Sequence, residues 1–173
     1  MMSRSLRLSP VWLLPLLLAA CARQASGTLE LRMRWEGGVP GITSLEVDPD
    51  WAGASRHPHR DAGWHRLDLL QDRLSLEPGA PAIAVAKGRL EAGNYDRVLI
   101  SSPLIQALDD EGRSLAVISH VEPIARSFEL GAGGTVRIEI SLTLRPGVAT
   151  GSPLEAFVMH AEVLAPEAGK ATG

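Results

Sequence analysis

The segment Thr135-Val136-Arg137-Ile138-Glu139-Ile140-Ser141-Leu142-Thr143-Leu144-Arg145 carries the most regular pattern in the chain. Val136, Ile138, Ile140, Leu142 and Leu144 occupy every second position, and polar or charged side chains fill the positions between them. Successive side chains of a strand point to opposite faces, so this spacing predicts a β-strand with one apolar and one wet face. Pro146-Gly147 ends it, because proline has no N–H to give to a ladder.

The same signature recurs on either side. In Thr28–Trp35, Leu29, Leu31, Met33 and Trp35 alternate with Glu30, Arg32 and Arg34. Ile42–Val47, Trp64–Leu70, Tyr95–Ser101, Leu115–Val121 and Ile124–Leu130 read as further strands, and Arg73–Glu77 and Leu104–Leu108 as short ones. Ile83–Lys87 reads as strand or as a helical turn. Leu154–Leu164 reads as a last strand with Phe157, Met159, Ala161 and Val163 inward, or as a helix. Turn residues separate these runs, among them Gly37–Gly41, Pro78–Pro81 and Asp109–Gly112, and Gly131–Gly134 reads as a flexible connection. Roughly nine short strands without a long amphipathic helix predict an all-β, antiparallel β-sandwich over residues 28–165. Residues 48–63 hold no apolar periodicity and read as one long irregular loop. The tail 166–173 reads as disordered.

The N-terminus has a different character. Arg4 and Arg7 precede the apolar run Val11–Leu18, which is too short to span a bilayer, and together they read as a signal peptide over residues 1–20. Leu18-Ala19-Ala20-Cys21 resembles a bacterial lipobox, at which the leader is removed and the new N-terminal cysteine is acylated. That likeness implies lipidation of Cys21, a tether over residues 21–27 and a cell-envelope location. Ala22, which is not aspartate, implies the outer membrane in a Gram-negative cell. Cys21 is the single cysteine, so the fold has no disulfide and depends on its apolar core. At 173 residues the chain has room for one domain of ordinary size.

Formal net charge is −3, and removal of the two leader arginines makes the mature chain more acidic. Nucleic acid is therefore not an expected partner, since its backbone demands a basic face. Membrane contact is expected through the N-terminal lipid, and an envelope protein or glycan is the expected partner.

Three segments carry a family likeness: Gly63-Trp64 with Leu67-Asp68-Leu69-Leu70, then Leu90-Glu91-Ala92-Gly93-Asn94-Tyr95 running on to Ile100, then Phe128-Glu129-Leu130 with Gly134–Ile140. Their order and spacing resemble the bacterial domain of unknown function 4382, over roughly Gly27 to Pro146. The resemblance implies an envelope lipoprotein with a transthyretin- or immunoglobulin-like sandwich, and the family has no established activity to carry over. Trp35–Pro40 departs from the acidic motif that often follows the family's first strand.

Candidate contact residues concentrate in the irregular stretch. Trp51 offers apolar area for a sugar ring or a partner, and Arg56 and Arg60 suit anionic groups. His57 and His59 flank Pro58 in a locally extended chain, which places them on one face. With His65 and Asp61 they form the best metal-ligating set. His120 and His160 are isolated, and Trp35 and Trp64 read as core. Tyr95 reads as a tyrosine-corner residue whose hydroxyl bonds nearby backbone. Asp48, Asp50 and the Asp109-Asp110-Glu111 run lack calcium-loop spacing and read as solvated turn acids. Ser101, Ser102, Ser119 and His120 sit in no nucleophile motif, and the Gly131–Gly134 run lies between strands rather than before a helix. The expectation is a non-catalytic binding, adhesion or assembly protein without a cofactor. A metal-binding accessory role for the His57–His65 loop is the alternative, and a hydrolase with an unfamiliar signature the third reading.

Overall fold

The structure, a computed structural model, describes residues 25–59, 62–120, 122–147 and 154–164. The leader with Cys21, the pair Arg60 and Asp61, and the tail 166–173 lie outside the described residues. No helix occurs among the described residues. Thirteen strands do: β1 (Ser26–Trp35), β2 (Ile42–Asp48), β3 (Trp51–Ser55), β4 (Trp64–Arg66), β5 (Asp68–Leu69), β6 (Leu74–Leu76), β7 (Ile83–Glu91), β8 (Gly93–Ser101), β9 (Leu104–Asp109), β10 (Ser114–His120), β11 (Ile124–Leu130), β12 (Thr135–Arg145) and β13 (Leu154–Leu164). They form a nine-stranded sheet, β5-β7-β1-β12-β13-β10-β9-β2-β6, and a four-stranded sheet, β11-β8-β3-β4.

The alternating runs form the packed layer. Leu29, Leu31, Met33 and Trp35 of β1 and Ile138, Ile140, Leu142 and Leu144 of β12 are all buried. Across from them the four-stranded sheet supplies Ala52, Ala54, Val98, Ile100 and Leu130 to the same core. An apolar cavity of about 10 Å³ between the sheets is lined by Met33, Val47, Ile100, Ile105 and Ile140 and is no larger than a single water needs. The larger sheet curls: register shifts interrupt β1–β7 at Leu31/Arg32, β2–β9 at Ile42/Ser44 and β12–β13 at Ser141/Leu142. Such bulges bend and twist the ladder locally. The curl brings the end of β6 back to β1, where Gly79 N–H donates to the Trp35 carbonyl at 3.0 Å.

Several expectations need correction. The sandwich is not wholly antiparallel: β1 runs parallel to β12, and β10 parallel to β13. Alternation reports which face a side chain takes, not which strand lies beside it. Residues 48–63 are not one loop, because Trp51–Ser55 is a strand paired with both β8 and β4. Ala52, Gly53, Ala54 and Ser55 are all buried, yet side chains this small leave little hydrophobic signal. Ser26 and Gly27, expected in the tether, begin β1. Ile83–Lys87 and Leu154–Leu164 are strand. In β13, Ala156 and Ala161 are both buried at an odd spacing, which the bulge opposite Ser141/Leu142 allows. The side chains of Phe157 and Met159 lie outside the description. The Gly131–Gly134 connection is a stitched turn, with Gly133 N–H donating to Ser26 O (2.8 Å) and Thr28 N–H to Gly134 O (2.8 Å).

The far face of β12 is only partly wet: Thr135 and Arg145 are exposed, and Arg137, Glu139 and Thr143 are half-buried. Ser141 is fully buried there, because Arg34 of β1 reaches across it, donating from Nε to Ser141 Oγ (3.0 Å) and pairing with Glu139 (3.0 Å). Glu30 likewise meets Lys87 (3.4 Å) and Arg137 (3.9 Å). Long charged side chains on neighbouring strands shade one another's stems while keeping their heads hydrated.

The strand directions define two poles. One gathers the start of β1, the β7–β8 and β11–β12 turns and, through Arg56, the chain that follows β3. The other gathers the turns β1–β2, β6–β7 and β9–β10, joined by Asp110 N–H to Gly41 O (3.1 Å) and Leu144 N–H to Gly37 O (3.2 Å).

Candidate functional site

The four-stranded sheet has one face in the core and one outside. Ala52, Ala54, Val98 and Ile100 take the inner positions, so Trp51, Gly53, Arg97 and Leu99 take the outer ones. Trp51 reaches along its own strand and lies over Gly53, where an added Cβ would sit 2.5 Å from the indole Cη2. Glycine is thus required at 53 for the indole to lie against the sheet. Trp64, which pairs with Ser55 on β4, meets Trp51 edge-to-face, with ring centroids 5.5 Å apart and planes at 84°. The Arg97 guanidinium lies over the Trp64 ring at 5.2 Å. Trp64 was expected in the core. It is instead half-buried on the outer face, because β4 continues the ladder of β3 with Trp64 in register with Ser55. Exposed Arg66, opposite Gly53, flanks the pair. Two half-buried indoles can stack on a sugar ring or pack against a partner, buried Arg97 backs them, and the exposed guanidinium of Arg66 can pair with an anionic group.

Arg56, expected to meet an external anion, is engaged within the chain. Its Nη2 donates to the Glu91 carbonyl (3.1 Å) and to Tyr95 Oη (3.3 Å), its Nη1 pairs with Glu91 Oε2 (3.3 Å), and its plane lies 5.0 Å from the Tyr95 ring. Tyr95 is fully buried and donates its hydroxyl proton to the Glu91 carbonyl at 2.9 Å, as expected of a tyrosine corner.

The histidines do not converge. His57 and His59 are exposed after β3, with the His57 ring against Gly63, whereas His65 sits on β4 edge-to-face with Tyr95 at 5.7 Å. Among the described residues no three His, Cys, Asp or Glu side chains gather as a metal site. His160 is exposed on β13.

The remaining polar candidates serve the local fold. Asp109 is buried, and its carboxylate accepts from Glu111 N (3.0 Å), Arg113 N (2.8 Å) and Arg113 Nε (2.7 Å). The Arg113 backbone N–H, then its guanidinium, hold that carboxyl below the usual aspartate range. Gly112, at φ 76°, closes the turn. Asp48 pairs with Arg73 at 2.9 Å, and the single hydroxyl proton of Ser102 is shared between the carbonyls of Asp48 (2.8 Å) and Leu104 (2.9 Å). Ser101 lies half-buried on β8 and Ser119 half-buried on β10.

Two open grooves mark the pole of the β1–β2 turn. One, about 270 Å³, is bordered by Arg34, Trp35, Leu76, Glu77 and Ile83, and the other, about 390 Å³, by Gly37–Ile42 and Pro78.

Sequence reasoning found Trp51 but not its partners Trp64, Gly53 and Arg97. A signal was present: a tryptophan two residues before a glycine can lie over that glycine when the segment is a strand. Compared with family models, curated proteins and solved structures, the chain gives no match.

Proposed function

We propose that this chain is a lipid-anchored cell-envelope protein whose β-sandwich domain binds an envelope glycan or protein without catalysis. The anchor rests on Leu18-Ala19-Ala20-Cys21. The observation that carries the binding role is the edge-to-face pair Trp51–Trp64, set outside the core with Arg97 stacked on it and Arg66 beside it. The resemblance to domain of unknown function 4382 belongs to the same reading, and the Ala92–Tyr95 turn with its tyrosine-corner bond supports it.

The test compares intact lipidated protein with a Trp51→Ala/Trp64→Ala variant, each shown folded by its melting curve. Both are incubated with purified cell-wall sacculi and with detergent-solubilised envelope membranes. Retention by the intact protein and at least a tenfold weaker retention by the variant is expected, roughly 1.4 kcal/mol or more. Equal retention removes this face from the site, and no retention by the intact protein removes the binding role.

A further inference from the structure

The chain enters the domain at one pole, and the charges of the two poles differ. Ala25 already belongs to the fold, since its carbonyl accepts from Ala92 N–H at 2.7 Å, and β1 starts at Ser26 beside the Gly131–Gly134 turn. Only four residues lie between Cys21 and Ser26, five steps along the chain. An extended chain advances at most about 3.6 Å per residue, so an acyl group on Cys21 would hold this pole within roughly 18 Å of the lipid surface. The ten residues of β1 then carry the opposite pole about 33 Å further along the strand axis.

The turns at the entry pole carry little charge. Ala92–Asn94 and Gly131–Gly134 consist of alanine, glycine and asparagine, Glu91 beside them is paired with Arg56, and exposed Arg89 and Glu129 next to them are opposite in sign. The turns at the far pole carry Glu36, paired with Arg34, and Glu77, Asp109, Asp110 and Glu111 against Arg113, so acids still outnumber bases there. Anionic headgroups would repel that acidic pole and tolerate the neutral one, an effect that reaches about a Debye length, roughly 8 Å, at physiological salt.

Resting on the lipid anchor proposed above, we infer that the pole formed by the start of β1, Ala92–Asn94 and Gly131–Gly134 is apposed to a phospholipid surface. The acidic pole with the grooves around Trp35 and Pro78 is then presented to the aqueous side. The His57–His59 segment falls at the lipid-facing pole, because Arg56 ties it to Glu91 and Ala92. Its exposed imidazoles lie at headgroup height.

The experiment uses the full lipidated chain in vesicles of phosphatidylethanolamine and phosphatidylglycerol that contain a headgroup-nitroxide lipid. Acylation consumes the only native thiol, so Ala132→Cys and Asp110→Cys each place one fluorophore on an exposed turn, at opposite poles. Fluorescence at 132 should be quenched several-fold more than at 110. Equal quenching, or the reverse order, in protein that carries its diacyl group by mass spectrometry overturns the orientation and leaves the anchor standing. Protein without a diacyl group that does not sediment with vesicles overturns both.

Discussion

Tyr95 donates to one carbonyl and accepts from one guanidinium, and its ring is stacked on Phe128 with centroids 5.3 Å apart. Tyr95→Phe keeps the ring and removes the bridge, leaving the Glu91 carbonyl with Arg56 as its side-chain donor. The expected loss is about 1–2 kcal/mol in chemical denaturation, with an unchanged denaturant slope. A loss near zero would show that the corner is held by Arg56 alone. Asp109 governs an acid-side effect. Its carboxyl titrates lower in the folded chain than in the unfolded one, so its contribution is full above the unfolded value. That contribution is lost as pH falls through the folded value. Asp109→Asn should therefore show a shallower fall of melting temperature between neutral and acid pH than the parent. Curves of equal slope would mean the turn does not depend on the charge. Tyr95 was legible in the sequence because its role follows from a short local motif. The fates of Arg56 and Arg97 were not, since an arginine's partner is chosen by the strand that happens to lie beside it.

At the scale of the element, β12 shows what alternation does and does not tell. Its apolar positions are buried as the pattern implies, with Ile138 and Ile140 at 0% and 1% exposure. Its polar positions are half-covered by β1, and Thr143 donates from Oγ1 to the Gly37 carbonyl at 3.1 Å. Ile140→Asp places an unpaired carboxylate in the core, at several kcal/mol of a total stability of about 5–15 kcal/mol. Thr143→Asp removes one part-buried hydrogen bond, so its cost should be about 1 kcal/mol rather than nothing. Melting curves of the two variants check the order, and equal losses would contradict the one-sided core. Strand β3 is the opposite case. The Ala-Gly-Ala-Ser segment has almost no hydrophobic bulk, so neither burial nor strand was readable from it, although its Cβ-poor surface is what lets Trp51 lie down.

At the scale of the whole molecule, the fold class and the single apolar core were legible, because they follow from period-two patterning summed over many segments. The two-sheet topology was not, because pairing order is a property of segments far apart in the chain. The parallel neighbour of β1 shows what that means for the life of the chain. Arg34 finds Ser141 across 107 positions, so the first strand meets one of its two flanking partners only when nearly all of the polypeptide exists. Contacts this distant in sequence delay folding, toward the millisecond-to-second range of sheet proteins, on the order of thousands of times slower than helical bundles. A chain cut after Leu130 lacks β12 and β13, and limited proteolysis should digest it under conditions in which the full chain resists. Resistance of the shortened chain would show that β1 can settle against β7 alone. The delay amounts to a clock: a polypeptide emerging from its N-terminus stays threadable until its last strands arrive, a state that suits the export the proposed lipid anchor would require.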